Sequence, residues 1–425
     1  MNRIIQGDVI EGLRSLPDGI VHTCVTSPPY WGLRDYGVPG QIGLEKTPEE
    51  YVEKMVEVFR EVRRVLRDDG TLWLNLGDSY ARNGGKNGQY NAGKTAKVGS
   101  TKRRVQLGNY RVPDGLKEKD LVGIPWRVAF ALQGMAVIPA TSIAQWSDWL
   151  REARETGDWE MVRMVEERLR RYAWIEALQA DGWYLRSDII WHKPNAMPES
   201  VKDRPTKAHE YIFLLSKSPK YYYDADAIRE PLAEATIERS KYPRFQNPKN
   251  RKDVNYGNPK TEESAIKRML QRGKRNKRTV WTVSTKPFKE AHFAVFPPDL
   301  IEPCILAGSP EKACPHCGAP WVRMTERGEH IKMTGGRIKI HKAQGPHGKT
   351  SVFNTGCIIE RITVGWKPTC QCEGNDGSGR GIVLDPFFGS GTTGLVAQKH
   401  GRQWIGVELN PDYIEIAKRR LAEAK

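Results

Sequence analysis

The passage from residue 381 to residue 421, GIVLDPFFGSGTTGLVAQKHGRQWIGVELNPDYIEIAKRRL, constrains the fold more than any other stretch of the chain. An apolar run ends in an acid, crosses closely spaced glycines into a helical pattern, and is followed by a second apolar run, a turn and an amphipathic helix. Strand and helix in alternation call for parallel strands, because each helix carries the chain back to the edge where the next strand begins. The N-terminal part repeats the rhythm. RIIQGD and IVHTCVTS read as strands around a short helix, Thr47 and Pro48 open a helix with Tyr51, Met55, Phe59, Val62 and Leu66 on one face, and TLWLNLGD returns as a strand. The expected fold class is α/β, a doubly wound Rossmann-like sheet.

The glycine turn also restricts the ligand. A strand that ends at Asp385 and enters a helix through Gly389 and Gly391 lets backbone approach a ligand at the helix N-terminus. It is not a phosphate-gripping loop, since the lysine such a loop needs after its last glycine is missing and Thr392 and Thr393 stand there instead. Nor does it match the dinucleotide fingerprint. About twenty residues on, Glu408 ends the next strand, where a carboxylate accepts hydrogen bonds from ribose hydroxyls. An adenosine ligand without phosphates that carries a positive centre meets both conditions, which describes S-adenosylmethionine. Phe387 and Ser390 complete the set expected around it on this passage.

Near the other end, VTSPPYWGLRDYG at residues 25–37 closes an apolar strand with two prolines followed by two adjacent aromatics. Pro28 and Pro29 stiffen the turn and fix the direction of a carbonyl, Ser27 adds a hydroxyl, and Tyr30 a flat ring. TSPPYW together with DPFFGSGTTG resembles the amino-group DNA methyltransferases, which methylate the exocyclic nitrogen of cytosine or adenine. The catalytic motif comes first and the cofactor motif last, which resembles the beta arrangement of that family over residues 1 to about 215 and 291 to 425. The resemblance implies a circularly permuted sheet whose first strand would have followed the last helix, and RIIQGD supplies it. It places Asp8, at that strand's end, near the adenine of the cofactor, with helix capping as the alternative, and Phe296 with Pro297 at the methionine end. An exocyclic amine is a poor nucleophile because its lone pair is delocalised into the ring. The resemblance therefore gives a proline carbonyl and Ser27 the task of holding its protons, and Tyr30 that of stacking on a base flipped from the duplex. Trp31 is expected to widen that platform toward DNA. Serine before Pro-Pro-Tyr is associated more often with cytosine in this family, so N4-methylcytosine is the expected product and N6-methyladenine the alternative.

What lies between the two motifs carries charge and cysteines. Between Arg239 and Arg278 stand fourteen lysines and arginines against three acids, interleaved with Tyr242, Phe245 and Tyr256. Such a run is either a solvated face or a nucleic-acid contact, and the net charge of +16 favours double-stranded DNA as the partner. Arg244, Arg251, Lys252, Arg272, Lys274 and Arg275 are the contact residues expected. Cys314 and Cys317 have the two-residue spacing of a zinc knuckle, whereas Cys370 and Cys372 are spaced by one residue and lie far along the chain, so structural zinc and free thiols both stay open. The expected organisation is a catalytic half at 1–133 and 180–230, a helical insertion at 134–179, a basic target-recognition region at 231–290, and a cofactor half at 291–425 with a zinc-binding insertion at 310–375. A longer native helical layer is the alternative to the insertion. The loop at 82–119 and the segment at 191–210 are expected to ring the target pocket. Without a run of about 18 apolar residues or a leader, a cytoplasmic protein of a prokaryote or phage is expected, with a companion restriction endonuclease as a further partner. Two rival readings fit the sequence less well. A methyltransferase of glutamine side chains places its cofactor motif before the Pro-Pro-Tyr turn, and an inactive zinc-bearing DNA-binding protein would not keep both motifs intact.

Overall fold

A computed structural model of the chain describes residues 2–33, 37–81, 112, 116–134, 149–166, 182–233, 274–286, 295–332 and 357–423, with backbone alone at 327–332 and 357–361. These residues fall into two compact units. The first comprises Met1–Tyr223, Thr279–Glu311 and Arg380–Lys425, and the second Asp224–Arg278 and Lys312–Gly379.

The first unit is built on an eight-stranded sheet made of β1 (Arg3–Gln6), β2 (Val21–Thr26), β3 (Leu66–Leu76), β4 (Tyr184–His192), β5 (His209–Ser216), β8 (Val280–Thr282), β11 (Ile382–Asp385) and β12 (Gln403–Glu408). Four further strands, β6 (Glu230–Pro231), β7 (Lys274–Arg275), β9 (Trp321–Lys332) and β10 (Cys357–Pro368), lie in the second unit. The large sheet has the order β1-β12-β11-β2-β3-β5-β4-β8. Only β5 runs against its neighbours, pairing antiparallel with β3 and β4. The first and last strands of the chain are parallel partners, Ile5 facing Val407 and Gln6 facing Glu408. That is the permuted, doubly wound α/β sheet expected.

Alternation along the strands builds two helical layers. Cys24, Leu72 and Leu74 enter a core shared with α1 (Val9–Arg14), α2 (Pro48–Val65) and α3 (Ile124–Gln133). Thr23, Thr71 and Trp73, one residue out of phase, turn to the opposite face. There α4 (Pro298–Gly308) crosses so closely that a Cβ on Gly308 would lie 2.6 Å from Thr23 Oγ1. Next to α4 packs α5 (Thr392–Lys399), and next to α5 packs α6 (Pro411–Glu423). The helix expected after Thr47 forms as its sequence dictates: Thr47 Oγ1 accepts from Glu50 N–H at 3.2 Å, and Tyr51, Met55, Phe59 and Val62 are wholly buried. Leu66 leaves the helix and begins β3, still buried.

The segment 134–179, expected as a helical insertion, is described only at 134 and 149–166, where helical turns cover 149–156 and 159–166. Its attachment is clear. Trp183 N–H donates to Leu132 O at 2.8 Å, and a Cβ on Gly182 would lie 2.6 Å from Gln133 O. The chain thus re-enters the α3-to-β4 connection beside the point where it left.

In the second unit β9 and β10 form a long antiparallel hairpin with Trp321 opposite Pro368, and β6 pairs antiparallel with β7. Asp224 is almost fully buried and accepts from Arg323 Nη2 on β9 at 2.8 Å.

Candidate active site and cysteine cluster

The two motifs meet because β2 and β11 are adjacent parallel strands. Thr26 Oγ1, at the end of β2, donates to Asp385 Oδ1, at the end of β11, at 2.7 Å. Ser27 is the next residue. Asp385 also accepts from Thr393 Oγ1 at 2.6 Å and from Phe387 N–H at 3.1 Å. Burial pushes its carboxyl up to about 6, against these three bonds, which favour the anion.

Beyond Asp385 the chain turns through Gly389 and Gly391. Glu408 braces this turn, its Oε2 accepting from Gly389 N–H at 2.7 Å and its Oε1 from Asn410 N–H at 2.8 Å. Burial raises its pKa as well. Gly391 has φ +79°, and a Cβ there would meet Ala417 Cβ at 2.9 Å, so both conformation and space demand glycine. The two phenylalanines divide their work. Phe388 is buried and stacks on Trp404 at 5.2 Å between centroids, while Phe387 remains partly exposed. Ser390 and Thr392, expected at the cofactor, turn their hydroxyls to Arg420 of α6, whose Nη1 lies 2.8 Å and 3.1 Å away. Together with Thr393 they are buried, so these side chains tie α5 to its surroundings, and the amides of the first turn of α5, which no side chain caps, are what the passage offers a ligand. Asp8 caps α1, its Oδ1 accepting from Ile10 N–H at 2.8 Å and Glu11 N–H at 3.2 Å. Phe296, just before α4, is half-buried.

The Ser-Pro-Pro-Tyr turn is held from several sides. Tyr51 OH donates to Pro29 O at 2.9 Å, whereas nothing among the described residues donates to the Pro28 carbonyl. Tyr30 OH donates to Glu210 Oε2 at 2.8 Å, and its ring lies against Gly77, where a Cβ would come within 2.5 Å of Tyr30 Cε2. Trp31 does not extend this platform. It is 6 % exposed, belongs to the core, and donates its indole N–H to Glu45 O at 3.0 Å, so it has no face to offer DNA.

A glycine turn braced by a buried and a half-buried carboxylate, joined through the Thr26–Asp385 hydrogen bond to a rigid turn bearing a hydroxyl and an aromatic ring, can hold two substrates end to end. A profile of N6/N4 methyltransferases described as DNA methylases matches residues 21–314 and 372–419. The chain belongs to this DNA methylase family. The type II methyltransferase M.Cfr9I of Citrobacter freundii is 37 % identical over 418 residues, covering 98 % of this chain and 87 % of that protein. Its counterpart M.SmaI of Serratia marcescens is 36 % identical over 421 residues, covering 99 % and 90 %. Among solved structures, the cytosine-N4-specific PvuII DNA methyltransferase aligns with 15 % identity and a TM-score of 0.45, covering 99 % of this chain and 86 % of that one.

Three residues of this DNA methylase's candidate site escape a reading of motifs. Asn75 on β3, Glu210 on β5 and Lys193 just after β4 gather at the Tyr30 hydroxyl: Glu210 pairs with Lys193, and Asn75 Nδ2 lies 3.3 Å from Glu210 Oε2. The segment 191–210 was expected beside the target pocket because it follows a sheet strand. Of its three acids, Glu210 at the start of β5 was the signal to weigh, because an acid that points into a site has to be matched there.

The four cysteines come together. Sγ atoms of Cys314, Cys317, Cys370 and Cys372 all lie within 4.8 Å of one another. The hairpin explains how: β9 starts directly after the first pair and β10 ends directly before the second, so the register of Trp321 on Pro368 closes a loop that looked too wide. Asn375 Nδ2 donates to Cys370 Sγ at 3.3 Å and its Oδ1 accepts from Trp321 Nε1 at 3.0 Å. Of the basic residues expected at DNA, Lys274 is exposed on β7 and Arg275 pairs with Glu230 at 3.3 Å. Arg244, Arg251, Lys252 and Arg272 lie outside the described residues.

Proposed function

We propose that this DNA methylase moves a methyl group from S-adenosylmethionine to the N4 amine of a cytosine flipped out of a specific site in duplex DNA. The observation that carries the reading is the Thr26–Asp385 hydrogen bond, which sets Ser-Pro-Pro-Tyr next to the glycine turn. S-adenosylmethionine would supply a methyl group on a positively charged sulfur. Glu408 and the open first turn of α5 fit its ribose and polar end, and Phe387 offers an apolar face. On the other side Tyr30 presents its ring to the base, while the Pro28 carbonyl and Ser27 Oγ accept from the two amine hydrogens and draw the nitrogen toward the pyramidal geometry of attack. The chemistry asks mainly for alignment of nitrogen, methyl and sulfur. Serine in the motif favours cytosine over adenine.

The second unit would serve recognition. Four cysteine sulfurs within 4.8 Å of one another match the soft donor set that tetrahedral zinc takes, and zinc there would pin the base of the β9–β10 hairpin. The basic block beside it in sequence supplies phosphate contacts. The type II names of the relatives support a companion endonuclease of the same specificity, hence work in the compartment that holds bacterial DNA. Incubation with cofactor labelled in the methyl group and mixed-sequence duplex, followed by digestion to nucleosides, tests the core claim. Label should appear in N4-methylcytosine. Label in N6-methyladenine would overturn the base assignment, and label on protein alone would overturn the function.

A further inference from the structure

Serine is an ambiguous residue in the place it occupies. A carbonyl or carboxylate oxygen can only accept, but a hydroxyl both donates and accepts, and the protons of an exocyclic amine require acceptors. If the Ser27 proton pointed at the amine it would oppose the nitrogen it has to hold. The direction of that hydroxyl must be imposed from outside.

The neighbours of Tyr30 impose it. The phenol carries a single proton, and on one side it meets Glu210 Oε2 at 2.8 Å and Asn75 Oδ1 at 3.1 Å. Glu210 is paired with Lys193, whose ammonium lies 4.2 Å from the Trp191 ring centroid, and an ionised carboxylate accepts only. Asn75 is oriented by its own amide, since Nδ2 donates to Tyr211 O at 3.0 Å, which leaves Oδ1 facing the phenol. The Tyr30 proton therefore goes to this side. On the other side Ser27 Oγ stands 3.3 Å from the phenol oxygen, which has only lone pairs left, so Ser27 must donate to it. The lone pairs of Ser27 Oγ are then free to face the target.

We propose that Glu210, paired with Lys193, is a positioning residue that sets the polarity of the Ser27 hydroxyl through Tyr30, turning a serine into a dedicated acceptor for the amine. The proposal rests on the methyltransferase reading above. Burial, with the charge of Glu210 second, holds the Tyr30 phenol well above its usual pKa, so the proton to be donated stays in place. Gly77 fixes the ring from beneath, which keeps the phenol oxygen between its two partners.

Glu210→Gln tests this. The amide has the same shape, loses the charge, and can donate to the phenol, so that Asn75 Oδ1 alone holds the phenol proton and the Ser27 hydroxyl is no longer kept from turning its proton to the amine. Single-turnover methylation of duplex DNA should slow by at least about tenfold, in the range of losing one hydrogen bond at a reacting group. Affinity for the cofactor should stay within about twofold, because Glu210 lies on the side of the target base. Tyr30→Phe cuts the same chain at its middle, so the double variant should be no slower than the slower single variant. Wild-type speed in Glu210→Gln, loss of cofactor binding in it, or losses that multiply in the double variant would each overturn the proposal. If the unaltered protein transfers no methyl to DNA, the functional reading itself fails; if it does and Glu210→Gln keeps pace with it, only the relay fails.

Discussion

Asp385 is a carboxylate that the fold keeps out of water, and its titration should be visible in stability. Its folded-state pKa of about 6 lies above the ordinary 3.8, so between those values the folded chain binds the proton more tightly than the unfolded one. Stability contributed this way is present at the acid end and lost as pH rises from about 4 to about 6, by roughly 3 kcal/mol at about 1.4 kcal/mol per pKa unit. In Asp385→Asn that slope should vanish, whatever the absolute stability. Urea midpoints of both proteins from pH 4 to pH 7 check it, and parallel curves would show that Asp385 is ionised at no cost. Gly77 gives a second prediction. Alanine there forces the Tyr30 ring from its seat, so Gly77→Ala should cost about 1–3 kcal/mol of stability, as overpacking does. It should also slow methyl transfer by about tenfold or more while cofactor affinity holds. Methylation at the wild-type rate would mean that the ring needs no fixed seat. Neither residue function is visible from residue type alone: an acid after a strand and a glycine after a strand are common, and only the approach of β2 to β11 and of Tyr30 to β3 gives them meaning.

At the level of elements, the parts legible in the sequence are those written locally. The α2 cap, its buried face and the glycine turn are each specified within a few consecutive residues, and each forms as its pattern directs. What depends on register between distant strands was not legible. The charge on Glu210 meets Tyr30 only because β5 runs antiparallel between β3 and β4, and the Trp31 aromatic could not be told from a stacking residue until its indole was found on Glu45. The cysteine pairs are the clearest case, since the β9–β10 hairpin, not the spacing, joins them. If this junction holds zinc, protein purified without chelator should carry about one metal ion per chain, as four soft ligands require. Cys370→Ser should then lose most of that metal and weaken DNA binding by about tenfold or more, as the hairpin base loosens, with cofactor affinity unchanged. Metal-free protein with full DNA affinity would leave the four thiols as a packing cluster.

The whole molecule carries a net charge of +16, and its distribution is more telling than its size. Fourteen basic against three acidic residues leaves eleven of those charges within Arg239–Arg278, between the catalytic and cofactor motifs in sequence. A polyanion binding there releases counterions for each phosphate neutralised, so affinity for duplex DNA should fall by about a thousandfold or more between 50 and 200 mM salt if six or more phosphates are engaged. Cofactor binding, if its charges are held as proposed against Glu408 and a helix N-terminus at short range, should change by no more than a few-fold. Replacing Arg244, Arg251, Lys252 and Arg272 together by alanine should lower the slope of log affinity against log salt by up to about four, weaken binding to all sequences, and leave the melting temperature close to that of the unaltered chain. Fluorescence anisotropy of a labelled duplex across a salt series measures the slope directly. A slope unchanged by the fourfold substitution would assign phosphate contact to other cations of the chain and return this block to a solvated surface.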